Sequence, residues 1–555
     1  MCREGVFTTE TQRHSLKKLF NKLCLCVSVV NLFFALCLTV PGQTAEYHNP
    51  VIAGDYPDPS VARVGGEFWA VTTTGGWAPH FSLLRSRDLV NWESVGFVFA
   101  SKPAWAKGDF WAPEIVSAFG RTFVFYTARR DEGPKRRGTL CVAAASAKQP
   151  QGPYTDHGPL VCEIKELKNV GSIDPFFLYD ERDLPYLVWK ADGNDARPEL
   201  PTSIFAQQLS TDGTRLVGRR REILRNNAPW EGHVVEGAYI LRRGGWFYHF
   251  YSGNACCGRA CDYALGVARA KSLLGPWEKY SKNPIIAANR DWQCPGHGSI
   301  TETPDGRTFL LYHSYRKRRD TFSVGREAVL DEVTWGEDGW PRVNRGQGPS
   351  SVAPAPLGRG NPPAPAEFFD GFNTSTLNPE WQWPMNNAPT LRIEAGLGGY
   401  LTLTPSSASL AEEYAGAVLA RRATSGDYTA TALVDLKGAA AGARAGLAAY
   451  GWRESALGVS AGAGKVYVWR REGKELRRVA EADASAKDSV YLRMKAEGGE
   501  RYRFSFSANG REWTDVGGEV DGAYVEGVRV ALTAAGGPAR FDWVRVTPTA
   551  FKDVR

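Results

Sequence analysis

Val234-Val235-Glu236-Gly237-Ala238-Tyr239-Ile240-Leu241 runs through a Gly244-Gly245 turn into Trp246-Phe247-Tyr248-His249-Phe250-Tyr251. Two β-rich runs around a tight turn read as a hairpin, and this one opens on a lone carboxylate. The layout recurs four more times. Asp58-Pro59-Ser60-Val61-Ala62-Arg63 leads through Gly65-Gly66 into Phe68-Trp69-Ala70-Val71, and Pro113-Glu114-Ile115-Val116 leads through Gly120 into Thr122-Phe123-Val124-Phe125-Tyr126. Asp174-Pro175-Phe176-Phe177-Leu178-Tyr179 leads into Tyr186-Leu187-Val188-Trp189, and His297-Gly298-Ser299-Ile300-Thr301 leads through Asp305-Gly306 into Phe309-Leu310-Leu311-Tyr312.

The polar heads of these copies, Asp58, Glu114, Asp174, Glu236 and His297, are spaced roughly 56 to 62 residues apart. Radial repetition of four-stranded sheets is one way an all-β chain protects its strand edges, so the pattern predicts a five-bladed β-propeller over 46–345. If each head opens the innermost strand of its blade, five ionisable side chains converge on one end of the central channel.

At 555 residues, with 59 glycines and 12% aromatic side chains, the chain exceeds one core and suits turn-rich β domains. Its formal charge of +7 is mild and dispersed. The basic runs Lys135-Arg136-Arg137, Arg219-Arg220-Arg221 and Arg316-Lys317-Arg318-Arg319 lack interleaved aromatics, so they read as solvated surface and nucleic acid is not an expected partner.

Residues 1–45 read as a signal peptide. Lys17, Lys18 and Lys22 precede an apolar run from Leu23 to Val40, and Pro41-Gly42-Gln43-Thr44-Ala45 offers small residues for cleavage. This predicts a secreted or periplasmic protein with no membrane attachment after cleavage; the length of the run also suits an uncleaved anchor. Cys2, Cys24, Cys26 and Cys37 fall in the leader, leaving Cys141, Cys162, Cys256, Cys257, Cys261 and Cys294 beyond it. An even number in an exported chain favours disulfides, with Cys141 to Cys162 and Cys294 to one of the 256–261 group as the sensible pairs.

From 346 to 366 the sequence turns to Pro, Gly, Ser and Ala without periodicity, which predicts a linker or strap. Over 367–550, runs such as Tyr428-Thr429-Ala430-Thr431-Ala432-Leu433-Val434 and Tyr502-Arg503-Phe504-Ser505-Phe506 alternate with period two between Gly-rich turns, predicting a β-sandwich. It carries no clustered acid pair and reads as an accessory domain.

Glycoside hydrolysis needs one protonated carboxyl to serve the leaving oxygen and one carboxylate to activate water or attack the sugar. Asp58, between Pro57 and Pro59 on a stiff backbone, suits the base. Glu236 follows Val234-Val235 and precedes Gly237-Ala238, apolar surroundings expected to raise its pKa as an acid requires. Asp174 is expected to act as a third charge that tunes Glu236. Glu114 is assigned to sugar hydroxyls or to bracing its neighbours, and Trp111 and Trp77 are the other candidate substrate-binding residues. For His297 two readings stand, a ligand of a cation or water in the channel and a hydrogen-bonded core histidine.

These residues resemble glycoside hydrolase family 43, the propeller hydrolases of arabinan, arabinoxylan and xylan. The motifs are Gly54-Asp55-Tyr56-Pro57-Asp58-Pro59-Ser60, Ser86-Arg87-Asp88-Leu89-Val90-Asn91-Trp92, Trp111-Ala112-Pro113-Glu114, Ser172-Ile173-Asp174-Pro175, Glu236-Gly237, Gly296-His297-Gly298-Ser299 and Gly325-Arg326-Glu327. The resemblance implies Asp58 as general base, Asp174 as pKa modulator and Glu236 as general acid of an inverting mechanism, with carboxyls about 6.5–9.5 Å apart. It implies that Arg326 contacts substrate, that no cofactor is required, and that His297 sits where some members hold calcium. The partner implied is plant cell-wall polysaccharide or oligosaccharide. Ala238 departs from the proline often found after Glu-Gly. Phe369-Asp370-Gly371-Phe372 and Trp381-Gln382-Trp383 resemble the jelly-roll, concanavalin-like sandwich appended to β-xylosidases of this family. The rival readings are a non-catalytic sugar-binding propeller and a retaining enzyme akin to the fructan-hydrolysing propellers.

Overall fold

Every blade of the propeller is a four-stranded antiparallel meander, as the alternation of apolar runs and Gly turns predicts. The structure is a computed structural model that describes residues 45–167, 170–317, 321–362, 365–484 and 488–549. The leader up to residue 44, and Arg318 and Arg319 of the third basic run, lie outside the described residues. The five blades open on the inner strands Ser60–Val64, Ala106–Ala118, Ser172–Tyr179, Val235–Arg243 and Trp292–Glu302. The described residues contain short 3₁₀ turns and no α-helix.

The apolar core lies between the blades. Trp69, Val71 and Phe81 of blade one pack with Ile115, Val124 and Tyr126 of blade two. Equivalent clusters join blades two and three, three and four, and four and five. A short antiparallel pair, Glu46–His48 with Val352–Pro354, ties the start of the propeller to the segment expected as a linker.

At the mouth of the channel, each blade's chain passes through left-handed backbone at an equivalent position: Asp58 (φ 52°), Ala112 (φ 41°), Asp174 (φ 56°), Gly237 (φ 59°) and His297 (φ 45°). Four of these positions lie where the ladder of the inner strand slips register, at Trp111/Glu114, Ile173/Phe176, Glu236/Tyr239 and Gly296/Ser299. Such bulges re-aim side chains, and non-glycine residues held there cost about 1–3 kcal/mol each unless their surroundings fix them.

This register corrects the expected ring of heads. Ala112, not Glu114, is the blade-two equivalent of Asp58 and Asp174, and Glu236 stands one residue before its blade's left-handed position. Glu114 belongs with Ser60, Phe176, Tyr239 and Ser299, a second tier two residues further on. Those residues touch across blades: the Ser60 hydroxyl donates to Glu114 Oε2 at 2.5 Å, Phe176 packs on Tyr239 at 4.6 Å, and the Val61 amide donates to Ser299 Oγ at 3.1 Å.

The second region pairs a nine-stranded with a six-stranded sheet around Val, Leu, Ala and Phe side chains. Tyr428–Asp435 alternates buried and half-buried residues without a break, the pattern expected of a strand in a sandwich. The two domains are joined by backbone as well as side chains. Trp383–Pro384 pairs with Trp77–Ala78, the Met385 amide donates to Gly76 O at 2.8 Å, and Arg422 Nε donates to Asp55 O at 2.6 Å. The cysteines pair as Cys141–Cys162, Cys261–Cys294 and Cys256–Cys257.

Candidate active site

A cavity of about 710 Å³ opens over the channel mouth, and Asp58, Asp174, Glu236, His297 and Arg326 all line it. Both domains build its walls. The propeller adds Thr73, Trp77, Trp111 and Lys190, while Met385, Asn387, Trp452, Arg453 and Glu454 come from the sandwich side.

On the base side, Asp58 is held from several directions. Arg326 Nη1 reaches Oδ1 at 2.9 Å and the Thr73 hydroxyl donates to Oδ2 at 2.7 Å. His297 Nδ1 lies 3.5 Å from Oδ1 and His313 Nδ1 3.2 Å from it. Burial works against the anion, but Arg326 and then His297 outweigh it and hold the carboxyl well below the usual aspartate range. His313 is itself buried, and burial pushes its ring down to about 4. A neutral ring cannot use one nitrogen both ways, so Nδ1 is the acceptor of the Asp58 amide at 3.1 Å and Nε2–H is left without a partner.

The acid side is built differently. Glu236 Oε2 meets Lys190 Nζ at 2.6 Å and Oε1 accepts the Tyr263 hydroxyl at 2.9 Å. Lys190 is 1% exposed and also touches Asp192 at 3.2 Å. Here the expectation of a raised Glu236 pKa is overturned. Burial does favour the neutral form, but Lys190, then His297 and Tyr263, outweigh it and hold the carboxyl below the usual glutamate range. The upward shift falls on Asp174 instead, which burial, with Glu236 adding to it against His297 and Lys190, pushes up to about 6. Asp174 Oδ2 accepts the amide of Gly237, the residue after Glu236, at 3.0 Å, which brings the two carboxyls near enough for the Glu236 charge to raise Asp174 and couple their titrations. Gly237 is needed here twice over: its φ is positive, and a Cβ would sit 2.9 Å from His297 Cγ.

The two sides meet through stacked rings. Tyr263, bonded to Glu236, lies parallel to His313, bonded to Asp58, with centroids 5.7 Å apart. Asp58 and Glu236 both line the one cavity.

The other candidates divide. Trp111 is half-buried and lines the cavity. Trp77 lines it too, but is 4% exposed, with Arg529 over its ring at 4.2 Å and Tyr450 at its edge, so it also forms the domain junction. Glu114 is buried on Ser60 in the second tier, outside the cavity lining, and burial pushes its carboxyl up to about 8. His297 is fixed by its amide bond to Ser252 Oγ at 2.9 Å and faces Asp58. Calcium takes six to eight oxygens, whereas the oxygens of Asp58 beside His297 are already engaged by Arg326 and Thr73. Among the described residues no group of three or more His, Cys, Asp or Glu is arranged to hold a metal.

Four further residues act on the site without having been singled out in the sequence. Lys190 breaks the buried run Leu187-Val188-Trp189-Lys190-Ala191, and His313 interrupts another after Tyr312; a charge or imidazole in such a strand is a readable signal. Thr73 carries no such mark. Asp55 accepts the Arg326 amide at 3.2 Å and the Trp452 indole N–H at 3.1 Å, linking the base side to the sandwich. Gly325, at φ 98°, leaves room for it, since a Cβ there would meet Asp55 at 2.5–2.8 Å.

The sequence profile of "Glycosyl hydrolases family 43" matches residues 47–341. This chain belongs to glycosyl hydrolase family 43. A second profile, "Beta xylosidase C-terminal Concanavalin A-like domain", matches residues 369–547 of this family 43 glycosidase. It is similar to Xylosidase/arabinosidase 43B of Humicola insolens, 29% identical over 73% of this chain and 74% of that protein. It is also similar to Xylan 1,3-beta-xylosidase of a Vibrio species, 25% identical over 86% and 91%. Among solved structures, a variant of the family 43 protein BlXynB of Bacillus licheniformis superposes with a TM-score of 0.76 at 25% identity, over 91% of this chain and all of that one.

Proposed function

We propose that this family 43 glycosidase is exported and hydrolyses xylosyl or arabinofuranosyl linkages of plant polysaccharides or their oligosaccharides with inversion of configuration. The observation that carries the reading is the pairing of two buried carboxylates with unlike partners in one cavity. Asp58 is kept ionised by fixed partners, so it accepts a proton from water as the water attacks the anomeric carbon. Glu236 gives its proton to the leaving oxygen, and Asp174, which shares one titration with it, sets how much of the pair is protonated. Arg326 and His297 stay beside Asp58 as its negative charge is neutralised. The Asp58 carboxylate regains its starting state when the proton passes to solvent.

Xylose and arabinose are supported as the sugars by the names of two relatives, Xylosidase/arabinosidase 43B and Xylan 1,3-beta-xylosidase. The leader of the sequence supports export. Anomer-resolved proton NMR of the first product tests the stereochemistry: the opposite anomer to that of the substrate is expected, and a retained anomer overturns inversion. A panel of the nitrophenyl β-D-xyloside, the nitrophenyl α-L-arabinofuranoside and linear arabinan assigns the sugar, and turnover of none of them overturns the reading.

A further inference from the structure

The bonded pair Cys256–Cys257 has no part in the chemistry above, yet both residues line the catalytic cavity. Their loop leaves the strand Trp246–Gly253, in which Ser252 is the register partner of Glu236, and returns at Tyr263, whose hydroxyl bonds Glu236. The sulfur pair thus belongs to the acid side of the cavity.

The loop is fixed to both domains. Cys261 is bonded to Cys294 on the strand that carries His297. The Ala255 amide donates to the Asp262 carboxylate at 2.9 Å, and the Asp262 amide to Ala255 O at 3.1 Å. Arg259 Nη2 reaches Glu500 at 2.7 Å and Ala523 O at 2.8 Å, both in the sandwich. Beneath the loop, Cys256 packs on Tyr263, Cys294, Tyr315 and Phe322, while Cys257 is exposed. What the cavity meets here is therefore a supported surface, not a free loop tip.

Joining the two sulfurs removes both thiols as donors and as metal ligands and leaves a polarisable, apolar patch. A sugar ring presents C–H faces that suit such a patch. Because Glu236 protonates the leaving oxygen, the sugar beyond the scissile bond lies on the same side. We propose that the Cys256–Cys257 disulfide is a wall of the leaving-group subsite, receiving the C–H face of the sugar that departs from an oligosaccharide. This rests on the glycosidase reading with Glu236 as acid.

The test compares the full-length wild type with Cys256→Ala/Cys257→Ala on a disaccharide and on the glycosyl fluoride of the same sugar, whose small leaving group does not fill that subsite. The ratio of kcat/KM for disaccharide over fluoride is expected to fall about tenfold, the order of one lost apolar contact in a pocket, with the change in KM. An unchanged ratio, including both substrates falling together, overturns the proposal and leaves the pair a brace. Cys256→Ser/Cys257→Ser keeps the size and is expected to lower the ratio in the same direction; wild-type behaviour of this variant also counts against the wall. Alkylation of the folded wild type followed by peptide mass mapping must find both cysteines protected, and free thiols overturn the proposal. If the wild type hydrolyses neither substrate, the glycosidase reading itself fails; if it hydrolyses both and the ratio does not move, only this inference does.

Discussion

Asp58 and Glu236 are both buried carboxylates at the same channel mouth, and both are held below their ordinary pKa, but by unlike neighbours. Around Asp58 the partners are a guanidinium, a hydroxyl and two histidine rings. Around Glu236 they are a lysine and a second carboxyl that shares its titration. The difference teaches that burial alone assigns no role. One side is locked in a single charge state, and the other can carry or release one proton.

The sharpest break in this comparison comes from removing the locked side. Asp58→Asn keeps the shape and the bond to Thr73 but cannot accept a proton, so kcat/KM is expected to fall by about 10³–10⁴ on every substrate. Steady-state kinetics check it.

Removing the tuner is expected to cost less. Asp174→Asn leaves the Gly237 amide bond possible but takes away the group that titrates with Glu236, and a loss of about 10² in kcat is expected, within the range of acid–base contributions. The pH profile sharpens the contrast. The acid limb requires Asp58 ionised, so activity falls only as pH drops through its depressed pKa. The alkaline limb requires one proton on the Asp174–Glu236 pair, so activity falls as pH rises through about 6, the Asp174 value. Lys190→Met removes the cation that favours ionisation on the acid side, so its alkaline limb is expected to move to higher pH while its acid limb stays in place. An alkaline limb that does not move would show that Lys190 acts only on structure.

How much of this was readable from the chain follows the same division. The five hairpins, the sandwich and the acidic residues of Asp-Pro and Glu-Gly are local patterns. Blade two misleads because a glutamate follows its Ala-Pro by one step, whereas the head is defined by left-handed backbone at Ala112 and not by charge. The sequence neighbours of Glu236 are apolar and suggest a raised pKa, while Lys190, which lowers it, comes from another blade. The sandwich residues in the cavity, more than 300 positions from Asp58, leave no local trace at all.

The smallest effect is expected at that junction. Trp452→Ala removes the indole bond to Asp55, which braces Arg326, and a rise in KM of about fivefold is expected, near the 1 kcal/mol of one hydrogen bond. Its acid limb should stay in place, because Arg326 keeps its charge.

The division of labour between the two carboxylates is decided by crossing variants with leaving groups. Glu236→Gln and Asp58→Asn are assayed on a disaccharide and on the glycosyl fluoride of its non-reducing sugar, whose departure needs no proton. Glu236→Gln is expected to lose about 10³ on the disaccharide and to recover most of its rate on the fluoride, while Asp58→Asn stays inactive on both. Equal losses of Glu236→Gln on the two substrates would contradict Glu236 as the proton donor.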